Sequence, residues 1–211
     1  MTGKFPDPRS ASFGESRGMN AHKIPRSSFA AISHSPHGAH AYTLQQLYSF
    51  CGSSNGEYCT DGSDPVAGVV LDGSGNLYGT TQAGGTNNDG TIFELVGKTT
   101  HTILYNFCPK ASCADGEAPV AAPILDSSGN LSGTTYSAVA TLAQGAGAVF
   151  KLTPGGTESL LYAFCGSQCS VGDDGLEPVA GLLMDSSGNL YSTTALGGTN
   201  DAGGEVFELE N

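Results

Sequence analysis

The segment PVAGVVLDGSGNLYGTT runs from Pro65 to Thr81 and returns twice further along the chain. The second copy reads PVAAPILDSSGNLSGTT from Pro119, and the third reads PVAGLLMDSSGNLYSTT from Pro178. Each copy places short apolar runs on both sides of a turn rich in Gly, Asn, Asp and Ser, which is the pattern of a β-hairpin. Because internal repetition is the signature of repeat architectures, the period of these copies decides the fold class.

Two further motifs set that period. LYSFC ends at Cys51, LYNFC ends at Cys108 and LYAFC ends at Cys165, so the spacing is 57 residues both times. The same spacing separates the phenylalanines of GTIFEL, GAVFKL and GEVFEL, namely Phe93, Phe150 and Phe207. Three copies of one unit therefore fill residues 45–211.

Each unit is predicted to form four short strands, separated by clusters of Gly, Asn and Asp. In the first unit these are strand A (Val66 to Leu71), strand B (Leu77 to Thr81), strand C (Thr91 to Leu95) and strand D (Thr102 to Phe107). A four-stranded unit of this length is typical of a β-propeller blade. The expected fold is therefore all-β, a propeller-type repeat of three four-stranded blades, with a β-solenoid or a sandwich as the alternatives.

The order of the strands bears on assembly. From Thr43 onwards it is D, then ABCD, ABCD and ABC, which makes three full blades if the first D strand joins the last ABC set. Propellers have about four to eight blades, so three blades should not close alone. We expect either a homodimer of six blades, in which Thr43 to Phe50 of one chain completes the last blade of the other, or an open arc with exposed edges.

The units resemble the Gloeo/Verruco (GloVer) tandem repeat of secreted bacterial proteins. The resemblance covers residues 45–211 and rests on the pattern LYxF, a DG and Pro loop, D-x-x-GNLYGTT, a GG pair and GTxFxL. It implies an extracellular or surface-attached protein, often paired with a sorting anchor, and it implies no catalytic residues. The middle unit departs from the pattern, because Ser132 replaces the tyrosine of Tyr78 and Tyr191 and the glycine pair is missing.

Six cysteines fall as one local pair in each unit, which predicts one disulfide per blade. The expected bonds are Cys51–Cys59, Cys108–Cys113 and Cys165–Cys169. Intervals of eight, five and four residues are too irregular for a zinc knuckle, although free thiols and a metal site stay as alternatives. Disulfides would indicate an oxidising compartment.

Residues 1–41 differ from the repeats in composition. Residues 1–44 hold five Lys and Arg against two acids, whereas the remainder holds three Lys against 18 acids. We expect residues 1–41 to be disordered, or a degenerate export segment, ahead of a repeat domain over residues 42–211. Ala39 and Ala41 fit a signal-peptidase site, but the apolar run from Phe29 to Ile32 is too short for a signal core. The expected location is secreted or cell-surface, with an incomplete export signal.

The net charge and the length of the apolar runs argue against two classes of protein. A net charge of −12 argues against nucleic acid, because binding phosphates requires exposed Lys and Arg. Apolar runs such as Val66 to Leu71 are far shorter than a membrane-spanning helix needs, so no membrane span is expected.

The loops that join strand D to strand A carry six acids, here called the acidic loop set: Asp61, Asp64, Asp115, Glu117, Asp174 and Glu177. In a propeller these loops open on the same face as the B–C loops GGTNNDG and GGTNDAGG, so the face would carry a crown of carboxylates. Ca²⁺, a glycan or another cell-surface ligand are the candidate ligands, since hard cations and hydroxyls both suit oxygen. The alternative is that Asp-Gly makes the turn and Pro begins strand A.

The DGSGN and DSSGN turns, which begin at Asp72, Asp126 and Asp185, resemble part of a calcium loop. They lack its full ligand set, so hairpin turns are the favoured interpretation.

The expected function is a non-enzymatic exported repeat module for cell-surface binding or scaffolding, with no cofactor other than the candidate Ca²⁺. His101 is the single histidine of the repeats, which leaves a nucleophilic triad almost no base. Two alternatives stay open. One is a carbohydrate-active enzyme, a glycosidase or lyase that uses loop carboxylates such as Asp64 and Glu177, although Ala118 fills the matching position of the second unit. The other is a purely structural envelope or adhesive protein.

Overall fold

The computed structural model describes residues 42–109, 113–137, 146–164, 175–198 and 203–211. Contacts divide the chain into two compact units, Met1–Leu44 and Gln45–Asn211. Of the first unit only residues 42–44 are described, so the predicted disorder and export segment of residues 1–41 lie outside the described residues. The second unit contains the three repeats.

The first two repeats fold as four-stranded antiparallel meanders. In the first sheet, of order β1-β2-β3-β4, the strands are β1 (Val70–Leu71), β2 (Leu77–Thr81), β3 (Thr91–Val96) and β4 (Thr100–Asn106). In the second sheet, of order β5-β6-β7-β8, they are β5 (Ile124–Leu125), β6 (Leu131–Thr135), β7 (Ala148–Leu152) and β8 (Glu158–Ala163). Each strand pairs with its neighbour in sequence, which is the expected topology of one propeller blade.

The third repeat forms a smaller pair of sheets. Its strands are β9 (Gly175–Leu176), β10 (Leu183–Met184), β11 (Leu190–Thr193), β12 (Leu196–Gly197) and β13 (Val206–Leu209). One sheet has the order β10-β11-β13, and β9 pairs with β12 in the other. The third repeat therefore contains the counterparts of strands A, B and C.

The all-β class is confirmed, since every helix or strand assigned in the described residues is a strand. Strand B is found with its predicted bounds, and strands C and D differ by one or two residues. Strand A is much shorter than the predicted Val66 to Leu71, because only Val70 and Leu71 pair with β2. In the second repeat the carbonyl of Ala121, in the same stretch, accepts a hydrogen bond from Thr80 Oγ1 of the preceding sheet at 3.1 Å. The Thr80 side chain thus satisfies a carbonyl that would otherwise bond to a neighbouring strand.

The predicted D strand from Thr43 to Phe50 is not a strand in the structure. No closed ring forms among the described residues, so the three-blade propeller stays a prediction.

The hairpin between strands A and B is held by one aspartate in each repeat. Asp72 Oδ1 accepts the amides of Ser74 and Asn76, and its Oδ2 accepts the Asn76 side-chain amide at 3.0 Å. Burial alone would raise the pKa of Asp72, but these hydrogen bonds lower it below its usual value. Asp126 and Asp185 make the same three bonds. The carboxylates are used as turn residues, as the hairpin interpretation expects.

Neighbouring sheets pack through equivalent phenylalanines. Phe107 lies edge-on to Phe150 with ring centroids 5.1 Å apart, and Phe164 meets Phe207 at the same distance and angle. Thr134 Oγ1 donates to the carbonyl of Ala180, repeating the bond from Thr80 one sheet earlier. The junctions between sheets are therefore built from the same positions in each repeat.

Two apolar clusters fill these junctions. The one between the first and second sheets has a buried centre of Ile92, Phe107, Leu131, Phe150 and Leu152. The one between the second and third has a buried centre of Ala146, Val149, Phe164, Leu182 and Leu190. Gly147 has a φ of 81° and lies against Pro178, so that a Cβ at this position would clash with the proline ring. Burial at the junctions holds the sheets in series.

Candidate functional site

The loops between strands D and A are closed by disulfides. Cys51 bonds to Cys59 in the first loop, and Cys108 bonds to Cys113 in the second, as the spacing predicts. The third predicted pair, Cys165 and Cys169, lies outside the described residues, as does Asp174 of the acidic loop set.

Asp61 anchors the first of these loops to the segment that precedes it. The residue is only 7% exposed, and its carboxylate accepts the Tyr48 hydroxyl at 2.7 Å. It also accepts the amides of Cys51 and Gly52, at 3.1 and 3.0 Å. Burial by itself would raise the pKa of Asp61, but the hydrogen bonds outweigh it and lower the pKa. Burial and the same carboxylate raise the pKa of Tyr48 to about 12. Asp61 is therefore a structural anion that is already satisfied within the chain.

Asp115 does the same in the second loop. Its Oδ2 accepts the Tyr105 hydroxyl at 2.8 Å and the Cys108 amide at 3.0 Å. Burial, followed by the hydrogen bond to Asp115, raises the pKa of Tyr105. The pattern of tyrosine, cysteine amide and aspartate thus recurs from the first repeat to the second.

The other members of the acidic loop set are placed differently. Asp64 is exposed, and Glu177 accepts the hydroxyl of Tyr136 at 3.0 Å, which ties the third repeat to the second. Asp64, Ala118 and Glu177 occupy matching positions and all have a left-handed backbone, with φ between 52° and 56°. What the three positions share is thus the left-handed backbone, which an aspartate, an alanine and a glutamate each adopt there.

Asp89 meets the second loop from the preceding B–C loop. Its carboxylate lies with Glu117, Cys108 and Cys113, such that one ligand atom from each falls within 4.8 Å of all the others. Its backbone carbonyl accepts the amide of Ala118 at 2.9 Å. Burial, then the charges of Glu117 and Asp115, raise the pKa of Asp89.

Among the described residues this is the one group that could hold a metal ion. While the two sulfurs are joined in a disulfide they are not thiolate ligands, so two carboxylates remain to offer oxygen. Ca²⁺ takes about six to eight oxygen ligands, so most of its shell would have to come from water or backbone. Asp89 lies in the B–C loop GGTNNDG. The one feature of the sequence that indicates its position beside Glu117 is that B–C and D–A loops are expected on the same face.

Two partly buried titratable side chains, outside the predicted site residues, occupy matching positions. His101 in β4 stacks on Tyr48 with ring centroids 4.3 Å apart, and Glu158 lies 57 residues later in β8. Neither His101 Nε2 nor Glu158 Oε1 has a hydrogen-bond partner in the described structure. Burial lowers the pKa of His101, whereas burial and then the charge of Asp115 raise the pKa of Glu158 to about 7. Partial burial therefore favours the neutral form of both groups.

Taken together, the three repeats define an all-β tandem-repeat protein, in which disulfides and tyrosine–carboxylate bonds fix the D–A loops of the first two repeats. The chain belongs to the Gloeobacter/Verrucomicrobia repeat family, whose model matches residues 33–211. No curated protein matches the chain. Within the part of the chain that is described, no helix is long and apolar enough to cross a membrane.

Proposed function

We propose that this chain is a non-enzymatic, exported repeat module that acts at the cell surface in scaffolding or binding. In this proposal its sheets are the blades of a β-propeller, and its assembled form is a homodimer. Disulfides in equivalent loops of the first two repeats support export, because such bonds persist in oxidising compartments.

The observation that carries the proposal is the internal use of the loop carboxylates. Asp61, Asp115 and Glu177 each accept a hydrogen bond from a tyrosine hydroxyl of the same chain. A carboxylate bonded in this way holds its loop in place and has less capacity left for a diffusible ligand. The arrangement therefore favours scaffolding over recognition of a small ligand.

The binding role would use the carboxylates that accept no tyrosine hydroxyl. Asp64 is exposed, and Glu117 is partly exposed beside Asp89. Oxygen ligands of this kind suit Ca²⁺ or the hydroxyls of a glycan. A glycan or another cell-surface ligand is thus the class of partner for the binding role.

The first test locates the protein and its thiols. Cells that produce the full chain are fractionated, and accessible cysteines are labelled with a maleimide before and after reduction. We expect the chain in the medium or at the protease-accessible surface, with labelling only after reduction. A chain found inside the cell with reduced cysteines would overturn the exported module.

The second test separates scaffolding, binding and catalysis. The full chain is heated in the presence of Ca²⁺ and of a panel of soluble glycans, and the same panel is assayed for hydrolysis. The scaffolding role predicts no thermal shift, and a shift that Glu117→Gln abolishes would establish the binding role. Hydrolysis that is lost in Glu177→Gln but kept in the exposed control Glu57→Gln would replace the proposal with an enzyme.

A further inference from the structure

Strand β13 has one open edge. Its counterparts β3 and β7 each lie between two strands, pairing with β2 and β4 or with β6 and β8. β13 pairs with β11 over Val206–Leu209, and no other described strand lies on its second edge. An unpaired row of amides and carbonyls is a template for another strand.

The exposure of Val206 on this strand indicates that a neighbouring sheet is missing. Val206 is 81% exposed, whereas the matching residues Ile92 and Val149 are both 0% exposed. Ile92 and Val149 are buried in the junctions with the following sheets. Val206 is thus an apolar residue whose two repeat equivalents are covered, so its position indicates a surface that another sheet is built to cover.

The complementary end lies at the start of the repeats. Phe50 packs edge-on against Phe93 at 5.0 Å, as Phe107 packs against Phe150 one sheet later. Tyr48 meets Phe50 at 5.1 Å, as Tyr105 meets Phe107. The segment Gln45–Phe50 therefore makes the inter-sheet contacts of a D strand. No described strand supplies it with a ladder partner, however.

We infer that β13 of one copy pairs antiparallel with Gln45–Phe50 of a second copy, so that two such junctions close a dimer. The register follows from β3 and β4, in which Ile92 lies opposite Tyr105 and a bulge follows. Shifted by whole repeats, this sets Val206 opposite Tyr48 and Phe207 opposite Gln46. The inference rests on the proposed propeller arrangement and names the surface that joins its two halves; two copies give six repeats, and six blades are within the range of closed propellers.

Charge favours this pairing over the symmetric alternative. In the inferred register Glu208 faces Gln45 and Glu205 faces Ser49, so no two charges of the same sign lie opposite each other. Antiparallel pairing of β13 with β13 of another copy would instead bring the carboxylates of Glu205, Glu208 and Glu210 from both chains together. Like charges across a ladder destabilise the pairing. The occupant of the edge is therefore the uncharged segment of a second copy.

The test measures the mass of the full, oxidised chain by light scattering, together with hydrogen exchange over a dilution series. We expect twice the 21.4 kDa of one chain, with amides of Gln45–Phe50 and Val206–Leu209 losing protection on dilution. Val206→Lys should raise the dimer dissociation constant at least about tenfold, because the ammonium would be buried at the junction. Gln46→Pro should act in the same direction from the other strand, because proline removes a ladder amide.

The matched control is Val96→Lys, at an exposed valine of β3, whose ladder partner Thr100 belongs to the same chain. It should leave the dimer intact. A monomeric wild-type chain, a mass that grows beyond the dimer, or equal effects of the two lysine variants would each overturn the inference. The location test is independent of the pairing: an exported monomer overturns the pairing and the proposed homodimer but leaves export standing, and a dimer with reduced thiols inside the cell overturns the exported module alone.

Discussion

Ser132 lies opposite Lys151 across β6 and β7, at the two positions where the outer repeats pair a tyrosine with a glutamate. In the first repeat the Tyr78 hydroxyl donates to Glu94 at 2.8 Å, and in the third Tyr191 donates to Glu208 at 2.7 Å. The middle repeat has thus changed both partners together. The charge of Lys151 is among the causes, after burial and the hydrogen bonds of the turn, that act on the pKa of Asp126, which is lowered overall.

This relationship predicts coupling between the two positions. Lys151→Glu alone should destabilise the chain, since it places a carboxylate near Asp126 without a donor, and Ser132→Tyr alone should add a hydroxyl without its glutamate. The double variant restores the pair of the outer repeats, so we expect a favourable coupling free energy of about 0.5–2 kcal/mol. Urea denaturation of the four proteins in the cycle measures it. Strict additivity would contradict the prediction.

The two structural aspartates should respond differently to the same substitution. Asp61 accepts backbone amides at both oxygens, so whichever way the side chain of Asp61→Asn turns, the amide of Cys51 or of Gly52 faces its nitrogen. We expect a loss of about 1–3 kcal/mol in the free energy of unfolding. Asp115 accepts both of its bonds at Oδ2, which the carbonyl of an asparagine can replace, so Asp115→Asn should cost less.

Exposed Asp64 supplies the control, because asparagine tolerates its left-handed backbone. Thermal melts of the three variants decide the matter. An effect of Asp64→Asn as large as that of Asp61→Asn would show that the hydrogen bonds are not the cause.

Gly147 tests how closely neighbouring repeats approach. Gly147→Ala must place a Cβ against Pro178 on a backbone with φ of 81°, whereas Gly156 has φ of 80° and open space around it. Gly156→Ala should therefore cost only the backbone term, about 1 kcal/mol, and Gly147→Ala should cost at least about 1 kcal/mol more. Chemical denaturation gives both values. Similar losses would mean that the contact with Pro178 relaxes freely.

Glu158 should make the stability of the chain depend on pH. The folded state holds the proton of this carboxyl up to about pH 7, while the unfolded chain releases it near pH 4.5. Because the folded state binds more protons between these values, its contribution to stability is lost as pH rises from about 4.5 to 7. Allowing for its partial exposure, we expect Glu158→Gln to stabilise the chain at pH 8 by about 1 kcal/mol, with little effect at pH 4.

The exposed Glu57→Gln is the matched control for that measurement, made by thermal melts across the pH range. A Glu158→Gln variant whose melting temperature stays parallel to that of the wild type at every pH would refute the assignment.

The repeat period was enough to predict strands B and C and the D strands β4 and β8, because alternating apolar residues between Gly and Asn turns have few other structures open to them. The D strand predicted from Thr43 to Phe50 was wrong, because no described strand pairs with that segment. Strand A was predicted too long because Val66 to Leu71 is apolar and β-branched. In the structure Val66 and Val69 are exposed, and in the second repeat the matching stretch bonds to the preceding sheet, where the Thr80 hydroxyl donates to the carbonyl of Ala121 in place of a ladder. That exchange depends on tertiary contact, which local pattern does not contain.

The candidate site was foreseen less well than the fold. Acid positions in the D–A loops are readable from the sequence, but their bonds to Tyr48 and Tyr105 are not, since those tyrosines lie ahead of the loops and nothing in the spacing aims their hydroxyls at an acid. Asp89 joins Glu117 across a repeat boundary, and such a meeting depends on how sheets stack rather than on spacing. The equivalence of His101 and Glu158 was visible in the period, although only burial gives it physical meaning.

The contacts between successive sheets have a consequence for how such a chain can change in length. Phe107 meets Phe150 as Phe164 meets Phe207, and Thr80 bonds Ala121 as Thr134 bonds Ala180. A tandem duplication or deletion of one unit, broken at equivalent positions of two repeats, would therefore regenerate the same contacts at the new boundary. Copy number can therefore change by genetic accident without exposing a new apolar surface inside the array, and what changes is the number of blades that the assembled ring must accommodate.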